Sequence, residues 1–157
     1  MNDDAARSAV SSPEAAADRT LVLEREFEAP PERVFRAWTD PATVARWWGP
    51  EGYSVPSHRM DIRPGGSYRT TMKGPNGENH TVSGVYREIV PPRRLVFTWG
   101  WEEDGRRGHE TVVEVTLEPS AVGTRLKLIQ RTFQNAAQRD NHQMGWASSF
   151  ADLARIL

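Results

Sequence analysis

The sequence predicts an α+β fold in which a curved antiparallel sheet wraps around a long C-terminal helix. Two observations carry this prediction. Between residues 53 and 133, short runs of alternating apolar and polar residues are separated by turn signals, which is typical of an antiparallel meander rather than of βαβ units. Residues 136–157 then repeat apolar side chains at helical spacing, which predicts one long amphipathic helix.

The N-terminal elements are a strand and two short helices. A strand is predicted over residues 20–29, because its apolar side chains share one face of an extended chain. Apolar residues at helical spacing predict helices over 32–38 and 41–48. Asp40 is a suitable N-cap for the second helix, and Pro41 suits the first helical position.

Six further strands are predicted to complete the sheet. The Asn76-Gly77 pair suits the positive φ angles of a tight hairpin turn between two of them. The six strands are predicted over residues 53–63, 67–73, 79–89, 94–102, 109–117 and 124–133. The order is therefore one strand, two short helices, six strands and a long helix.

Composition argues against several classes of function. The formal net charge is −1 and basic residues form no long block, so we expect neither a nucleic-acid nor a membrane partner. The absence of cysteine removes disulfides, thiolate metal ligands and a cysteine nucleophile. The four histidines lack metal-ligand spacing and no serine has a nucleophile-elbow context, so we assign no metal, no cofactor and no catalytic residue.

Residues 1–18 are predicted to form a disordered leader, because they are rich in Ala, Ser and Asp and contain almost no large apolar side chain. They contain no hydrophobic segment of a secretory signal, and no apolar run in the chain approaches the ~18–20 residues that span a bilayer. We therefore expect a cytoplasmic protein, with residues 19–157 forming a single domain.

Five motifs in register resemble the SRPBCC superfamily. They are Asp40-Pro41 leading to Trp47-Trp48-Gly49-Pro50, Asp61-Ile62-Arg63-Pro64-Gly65-Gly66, Gly84-Val85-Tyr86, Pro91-Pro92-Arg93-Arg94-Leu95 and Gly145-Trp146. Within the superfamily, the chain is similar to the branch named after the C-terminal domain of the activator of heat-shock protein 90 ATPase. The resemblance implies the helix-grip (START-like) fold, whose shared feature is a deep cavity between the sheet and the long helix.

This resemblance, together with the clusters of aromatic residues, predicts an apolar ligand cavity. The side chains predicted to line it are Trp48, Met60, Tyr68, Met72, Tyr86, Phe97, Trp99, Trp101, Trp146 and Phe150. Two polar groups are also assigned to it. Arg25 has the same strand parity as the apolar residues around it, and His58 lies on the predicted strand over residues 53–63.

Each assignment has a structural alternative. The Trp47-Trp48 pair either guards the mouth of the cavity or plugs the core between the helices and the sheet. Phe97, Trp99 and Trp101 either line the cavity or fill it, since each ring buries roughly 150–250 Å². Arg25 either faces inward or forms a salt bridge at the end of the sheet.

The leading functional hypothesis is a binding protein that holds a small apolar or aromatic molecule between the sheet and the helix. One alternative is an enzyme of cyclase or dehydratase type that uses a cavity side chain as acid or base. The candidates for that role are Arg25, His58, Asp61, Tyr68 and Tyr86. The other alternative is a protein-interaction module that stimulates a chaperone ATPase, so a chaperone or a second copy of the chain is a further expected partner.

Overall fold

The computed structural model of the chain describes residues 17–157. Most of the predicted leader lies outside these residues. Within them, strands β1 to β7 cover Leu21–Phe27, Ser54–Met60, Ser67–Lys73, Asn79–Val90, Arg94–Glu103, Arg106–Pro119 and Thr124–Arg131. Helices α1 to α3 cover Pro31–Thr39, Pro41–Trp47 and Ala136–Ile156.

The seven strands form one antiparallel sheet in the order β1-β7-β6-β5-β4-β3-β2. From β2 to β7, strands that are consecutive in the chain are neighbours in the sheet, as a meander requires. The first strand, β1, pairs with the last, β7. In this pairing Leu21 lies opposite Gln130 and Phe27 lies opposite Thr124. The predicted α+β class and helix-grip arrangement, with a curved open sheet and a C-terminal helix, are confirmed.

The two short helices form where capping residues predict them. The Asp40 carboxylate accepts a hydrogen bond from the Thr43 backbone N–H at 3.1 Å, and Pro41 begins α2. The Trp47 indole N–H donates to the Ala37 carbonyl at 2.8 Å, which ties α2 to α1. Trp48 itself follows the helix as its C-cap, so the helix ends one residue before the predicted end.

Several strand ends differ from the predicted bounds because of local turns. The Asp61 N–H bonds to the Ser67 carbonyl at 2.9 Å, which ends β2 before the turn that the Gly65-Gly66 pair completes. Asp104 and Gly105 both have positive φ, 51° and 76°, so they form a tight turn and β6 begins at Arg106 rather than at 109. Thr132, with φ 68°, ends β7 before residue 133.

The long helix α3 contributes to a core rich in aromatic rings. Its buried side chains include Trp146, Phe150 and Leu153. The Phe150 ring meets Phe27 of β1 edge-on at 6.0 Å and Trp38 of α1 at 6.1 Å, measured between ring centroids. Helix, first strand and short helices are therefore joined by one aromatic cluster.

The solvent-facing side of the sheet is crossed by ion pairs that join different strands. Glu114 of β6 bonds to Arg131 of β7 at 2.7 Å and to Arg94 of β5 at 3.3 Å. Further along the sheet, Arg69 of β3 lies 3.1 Å from Glu102 of β5. None of the helices in residues 17–157 combines the length and the apolar character needed to cross a membrane.

Candidate functional site

The predicted cavity is divided into two parts, one open and one filled. The open part, which we call the indole cleft, has a volume of about 430 Å³. Five of the side chains predicted to line the cavity border this cleft, namely Trp48, Met72, Trp99, Trp101 and Trp146. A volume of this size lies within the range of about 300–1,000 Å³ that is usual for small-molecule sites.

The filled part, which we call the inner pocket, has a volume of about 10 Å³. One water molecule already needs about 10–15 Å³, so an organic ligand does not fit there. The predicted residues that lie around the inner pocket are His58, Met60, Tyr68, Tyr86 and Phe97, together with Trp48, which separates it from the indole cleft. For this half of the predicted cavity, the alternative in which aromatic rings fill the space describes the structure.

Two predicted residues border neither region. Phe150 is 1% exposed and lies in the core against Phe27 and Trp38. Arg25 has the inward strand parity, but β1 is the edge strand and the side chain is exposed, with its guanidinium carbon 5.5 Å from the centre of the Phe27 ring. The interpretation of Arg25 as an inward-facing cavity group is wrong, because the edge of the sheet leaves this position open to solvent.

The four indoles of the cleft form walls that meet at steep angles. The Trp99 and Trp101 rings are perpendicular, with centroids 5.4 Å apart, and the Trp48 and Trp146 rings cross at 85° and 5.4 Å. Trp99 also packs on Trp146 at 5.2 Å. The result is a cleft whose sides are mainly π surfaces, set at angles that can contact both a face and an edge of a flat ligand.

A buried polar chain fixes the orientation of Trp146. Its indole N–H donates to the Gln130 side-chain oxygen at 2.8 Å, and the Gln130 amide nitrogen donates to the Thr111 hydroxyl at 2.8 Å. The Thr111 hydroxyl donates in turn to the Trp99 carbonyl at 3.4 Å. Gln130 is fully buried, and both ends of its amide are used, so it can hold the indole in only one orientation.

Trp101 is held by a histidine of α3. Its indole N–H lies 2.9 Å from Nε2 of His142, while Nδ1 of the same ring lies 2.7 Å from the Gln138 carbonyl oxygen. An indole nitrogen can only donate, so Nε2 accepts and Nδ1 carries the proton that is donated to Gln138. Burial lowers the pKa of His142, against the opposing effect of the Gln138 carbonyl, which favours the neutral ring that this geometry requires.

Sequence reasoning missed eight residues of the indole cleft. They are Gly49, Pro50, Tyr53, His80, Asn141, His142, Gly145 and Ser149. Those on α3 could have been found from the sequence, because positions 142, 145, 146 and 149 follow the i, i+3, i+4, i+7 spacing of one helical face. Tyr53 and His80 carried no such signal, since they lie at the ends of loops or strands whose path the sequence does not define.

Three of the acid–base candidates, His58, Tyr68 and Tyr86, border the inner pocket. The Tyr68 hydroxyl donates to the Thr98 carbonyl at 2.5 Å, and burial raises the pKa of both Tyr68 and Tyr86 well above the ordinary value. Nδ1 of His58 lies 2.8 Å from the Thr70 hydroxyl, and burial lowers the pKa of this histidine. None of these groups borders the indole cleft.

The polar character of the indole cleft is modest. Within residues 17–157, no Lys, Arg, Asp or Glu side chain borders it, and the titratable groups that do are His80, His142 and Tyr53. Asp61 lies elsewhere, in an exposed ion pair with Arg63 at 2.8 Å. In residues 17–157, no three or more His, Cys, Asp or Glu side chains are grouped so that they could hold a metal ion.

The chain is similar in sequence and fold to solved structures. The chain shares 39% identity with the AHSA1 protein of Silicibacter pomeroyi, with a TM-score of 0.81 over 87% of this chain and 95% of that one. A protein of Chromobacterium violaceum shares 33% identity, with a TM-score of 0.81 over 88% and 96% of the two chains. No curated protein matches the sequence.

Residues 28–157 match the family described as Activator of Hsp90 ATPase homolog 1-like protein. This match covers most of the chain and includes the short helices, strands β2 to β7 and α3. The chain therefore belongs to the family of Activator of Hsp90 ATPase homolog 1-like proteins, within the SRPBCC superfamily.

Proposed function

We propose that the protein binds a small, uncharged, flat apolar or aromatic molecule in the indole cleft. The observation that carries this proposal is a cleft of about 430 Å³ that is bordered by four tryptophans and, in the described part of the chain, by no formally charged side chain. Affinity would come mainly from apolar surface removed from water, at roughly 25 cal/mol per Å² before the costs of association. A charged ligand would lose its hydration without gaining a counter-ion.

The Trp99 indole N–H does not add a polar feature to the cleft. The ring borders the cleft, but its nitrogen is buried and has no hydrogen-bond partner among the described residues. An unpaired buried donor costs about 1–3 kcal/mol, and a ligand acceptor could reach this nitrogen only if neighbouring side chains moved. The proposed ligand class therefore rests on the apolar aromatic walls of the cleft.

At the level of the family, the fold supports a ligand-binding or co-chaperone-type module. Ligand binding is the stronger candidate for this chain, because four tryptophans border a concave cleft, whereas the outer face of the sheet carries cross-strand ion pairs such as Glu114–Arg131. Cytoplasmic placement belongs to the same proposal, since a chain without cysteine suits a reducing compartment.

Acid–base catalysis has less support than binding. The candidates Tyr68, Tyr86, His58 and Asp61 all lie outside the indole cleft. Both ring nitrogens of His142 are already engaged, which leaves His80, 3.8 Å from the Glu78 carboxylate, as the remaining histidine there. We therefore propose binding without a chemical step.

The proposal is tested with prodan, an uncharged naphthalene dye that carries a carbonyl acceptor and fluoresces more strongly in apolar surroundings. We expect saturable enhancement with wild-type protein and quenching of the cleft tryptophans. Trp101→Leu removes one wall, so we expect a loss of affinity of about tenfold. Met144→Ala, on the same helix as His142 but 72% exposed and outside the cleft, is the matched control.

Absence of a saturable signal up to the solubility of the dye would refute the ligand proposal. Stimulation of a purified Hsp90 ATPase by the same protein preparation, without any dye binding, would instead favour the co-chaperone alternative. Equal loss of affinity in Trp101→Leu and Met144→Ala would place the dye somewhere other than the indole cleft.

A further inference from the structure

A second cleft adjoins the indole cleft, and the two share a wall. This outer cleft has a volume of about 660 Å³ and lies between the β5–β6 hairpin and the first half of α3. Trp99, Trp101 and His142 border both clefts. The hydrogen-bonded Trp101–His142 pair, which joins the sheet to the helix, is therefore a partition between the two spaces.

A single protonation state of His142 is compatible with this partition. Nε2 must be unprotonated to accept from the Trp101 indole, because Nδ1 already donates to the Gln138 carbonyl. A second proton on the ring would place an N–H on Nε2, directly opposite the N–H of Trp101. Two donors then face each other at the position of the present 2.9 Å hydrogen bond, and the contact between the two rings becomes repulsive.

We propose that the Trp101–His142 pair is a proton-controlled partition, and that protonation of His142 separates the two rings, joins the indole cleft to the outer cleft and weakens ligand binding. This inference rests on the proposed ligand-binding function. It adds regulation to that function, because the same protein would hold its ligand near neutral pH and release it on mild acidification.

The surroundings of His142 provide little to hold an imidazolium in place. Across the indole cleft, β4 contributes His80. In the outer cleft the charged or titratable groups are Glu103 and Asp104 at the end of β5, with Arg106 and His109 of β6. The Phe133 ring packs on the imidazole at 4.8 Å between centroids, and the neighbouring Asp140 pairs with Arg139 at 2.9 Å.

Within residues 17–157, no carboxylate forms an ion pair with His142, so its protonation is not compensated locally. Because burial lowers the pKa of this histidine, the transition is expected below its ordinary value of about 6.5. The partition is therefore closed at neutral pH and opens only when the pH falls below that ordinary value.

Opening would weaken binding for two physical reasons. The Trp101 ring would no longer be fixed against the helix, so a flat ligand would lose part of its contact with this wall. The side of the bound ligand that faces the outer cleft would also stay in contact with water, so binding would remove less apolar surface from water. We expect the affinity for prodan to fall about tenfold between about pH 7.5 and pH 5.0.

The test compares, for each variant, the ratio of prodan affinities at the two pH values. In His142→Gln, the side-chain amide oxygen can accept from Trp101 but does not titrate, so the ratio is expected to fall to less than about twofold. The matched control is His80→Gln, which removes the other histidine of the indole cleft and should keep the wild-type ratio of about tenfold. Circular dichroism at both pH values verifies that every variant stays folded.

A readout without ligand separates this inference from the proposed function. The indole N–H resonance of Trp101 in a ¹H–¹⁵N spectrum should shift on acidification in the wild type and stay in place in His142→Gln. If prodan does not bind at neutral pH but this shift occurs, the proposed function fails and the partition stands. A tenfold affinity ratio that persists in His142→Gln, or an indole resonance that does not respond to pH, would overturn the partition.

Discussion

Gln130 shows how a single buried polar residue can define the shape of an apolar site. It is 0% exposed, yet its amide is satisfied on both sides, by Trp146 and by Thr111. Because its oxygen faces the indole and its nitrogen faces the hydroxyl, a reversal of the amide would set two N–H donors against each other at Trp146, and the Thr111 hydroxyl could donate to the reversed amide only by giving up its hydrogen bond to the Trp99 carbonyl. The orientation of one wall of the indole cleft therefore depends on a residue that does not border the cleft.

We expect Gln130→Leu to lower the free energy of unfolding by about 1–3 kcal/mol, because the Trp146 N–H and the Thr111 hydroxyl would stay buried with one partner fewer. Urea denaturation measures this difference. Gln143→Leu, an exposed position of α3, is the control and should change stability by no more than about 0.5 kcal/mol. Similar losses in both variants would show that the buried polar chain contributes nothing specific.

At Tyr68, which borders the inner pocket, we expect a substitution to lower stability without changing ligand affinity. Tyr68→Phe removes the hydrogen bond to the Thr98 carbonyl, so we expect a loss of stability of about 1 kcal/mol. Prodan affinity should not change, because the inner pocket of about 10 Å³ is too small for the dye. A clear fall in affinity at unchanged fold would mean that the ligand extends past Trp48 into the inner pocket.

The turn that follows α2 positions several residues that border the indole cleft. Gly49 has φ +98°, and a Cβ atom built there would lie 3.0 Å from the Met72 sulfur and 3.2 Å from the Tyr53 Cβ. Glycine is thus required both by the backbone conformation and by the close approach of two residues that border the cleft. The chain can turn sharply enough after Trp48 for both Trp48 and Pro50 to face the same space.

Gly49→Ala should therefore destabilise the fold more than backbone strain alone explains. Gly77→Ala is the matched control, since Gly77 has a similar φ of +82° but no atom of the described residues lies within 4 Å of its added Cβ. We expect about 1–2 kcal/mol for the strain common to both variants, and a further loss in Gly49→Ala from the displaced Met72. Equal unfolding free energies for the two variants would show that the contact with Met72 is easily relieved.

The elements also show what could be predicted from the sequence. The tandem helices and the long helix were predicted to within one or two residues, because Asp40, Pro41 and the helical apolar spacing are local signals. The division of the cavity was not predictable, because Tyr68, Phe97 and Trp99 all alternate inward in the same way on their strands. Only the crossing of α3 and the placement of Trp48 decide which rings border the cleft and which fill the interior.

Contacts between residues far apart in the chain were equally beyond sequence reasoning. The Trp101–His142 bond joins positions 41 residues apart, and neither residue type signals its partner. Arg25 was misplaced because strand parity predicts a face but does not reveal whether the strand lies at the edge of the sheet. Local patterns therefore predicted the fold, whereas the shape of the site depends on long-range packing.

At the scale of the whole molecule, the fold couples its stability to pH through buried histidines. Burial lowers the pKa of both His58 and His142, so the folded protein binds fewer protons than the unfolded chain when the pH falls below about 6.5. The unfolded state is then favoured by acid, and stability decreases as the pH falls from neutrality. A further loss follows at lower pH, because hydrogen bonds from Arg69 and Ser83 lower the pKa of Glu102 below its ordinary value.

We therefore expect the melting temperature to be nearly constant between about pH 8 and 7, to fall below about pH 6.5, and to fall further near the ordinary pKa of glutamate, about 4.3. Thermal denaturation followed by circular dichroism at several pH values measures this profile. In the double variant His58→Gln/His142→Gln, the melting temperature should no longer fall just below about pH 6.5. It should still fall near pH 4.3, because the Glu102–Arg69 pair is intact. A melting temperature that rises on acidification from pH 7 to about 5.5 would show that these two rings gain protons more readily in the folded protein. Folding would then favour the protonated ring of His142, whereas the closed Trp101–His142 partition requires the neutral ring.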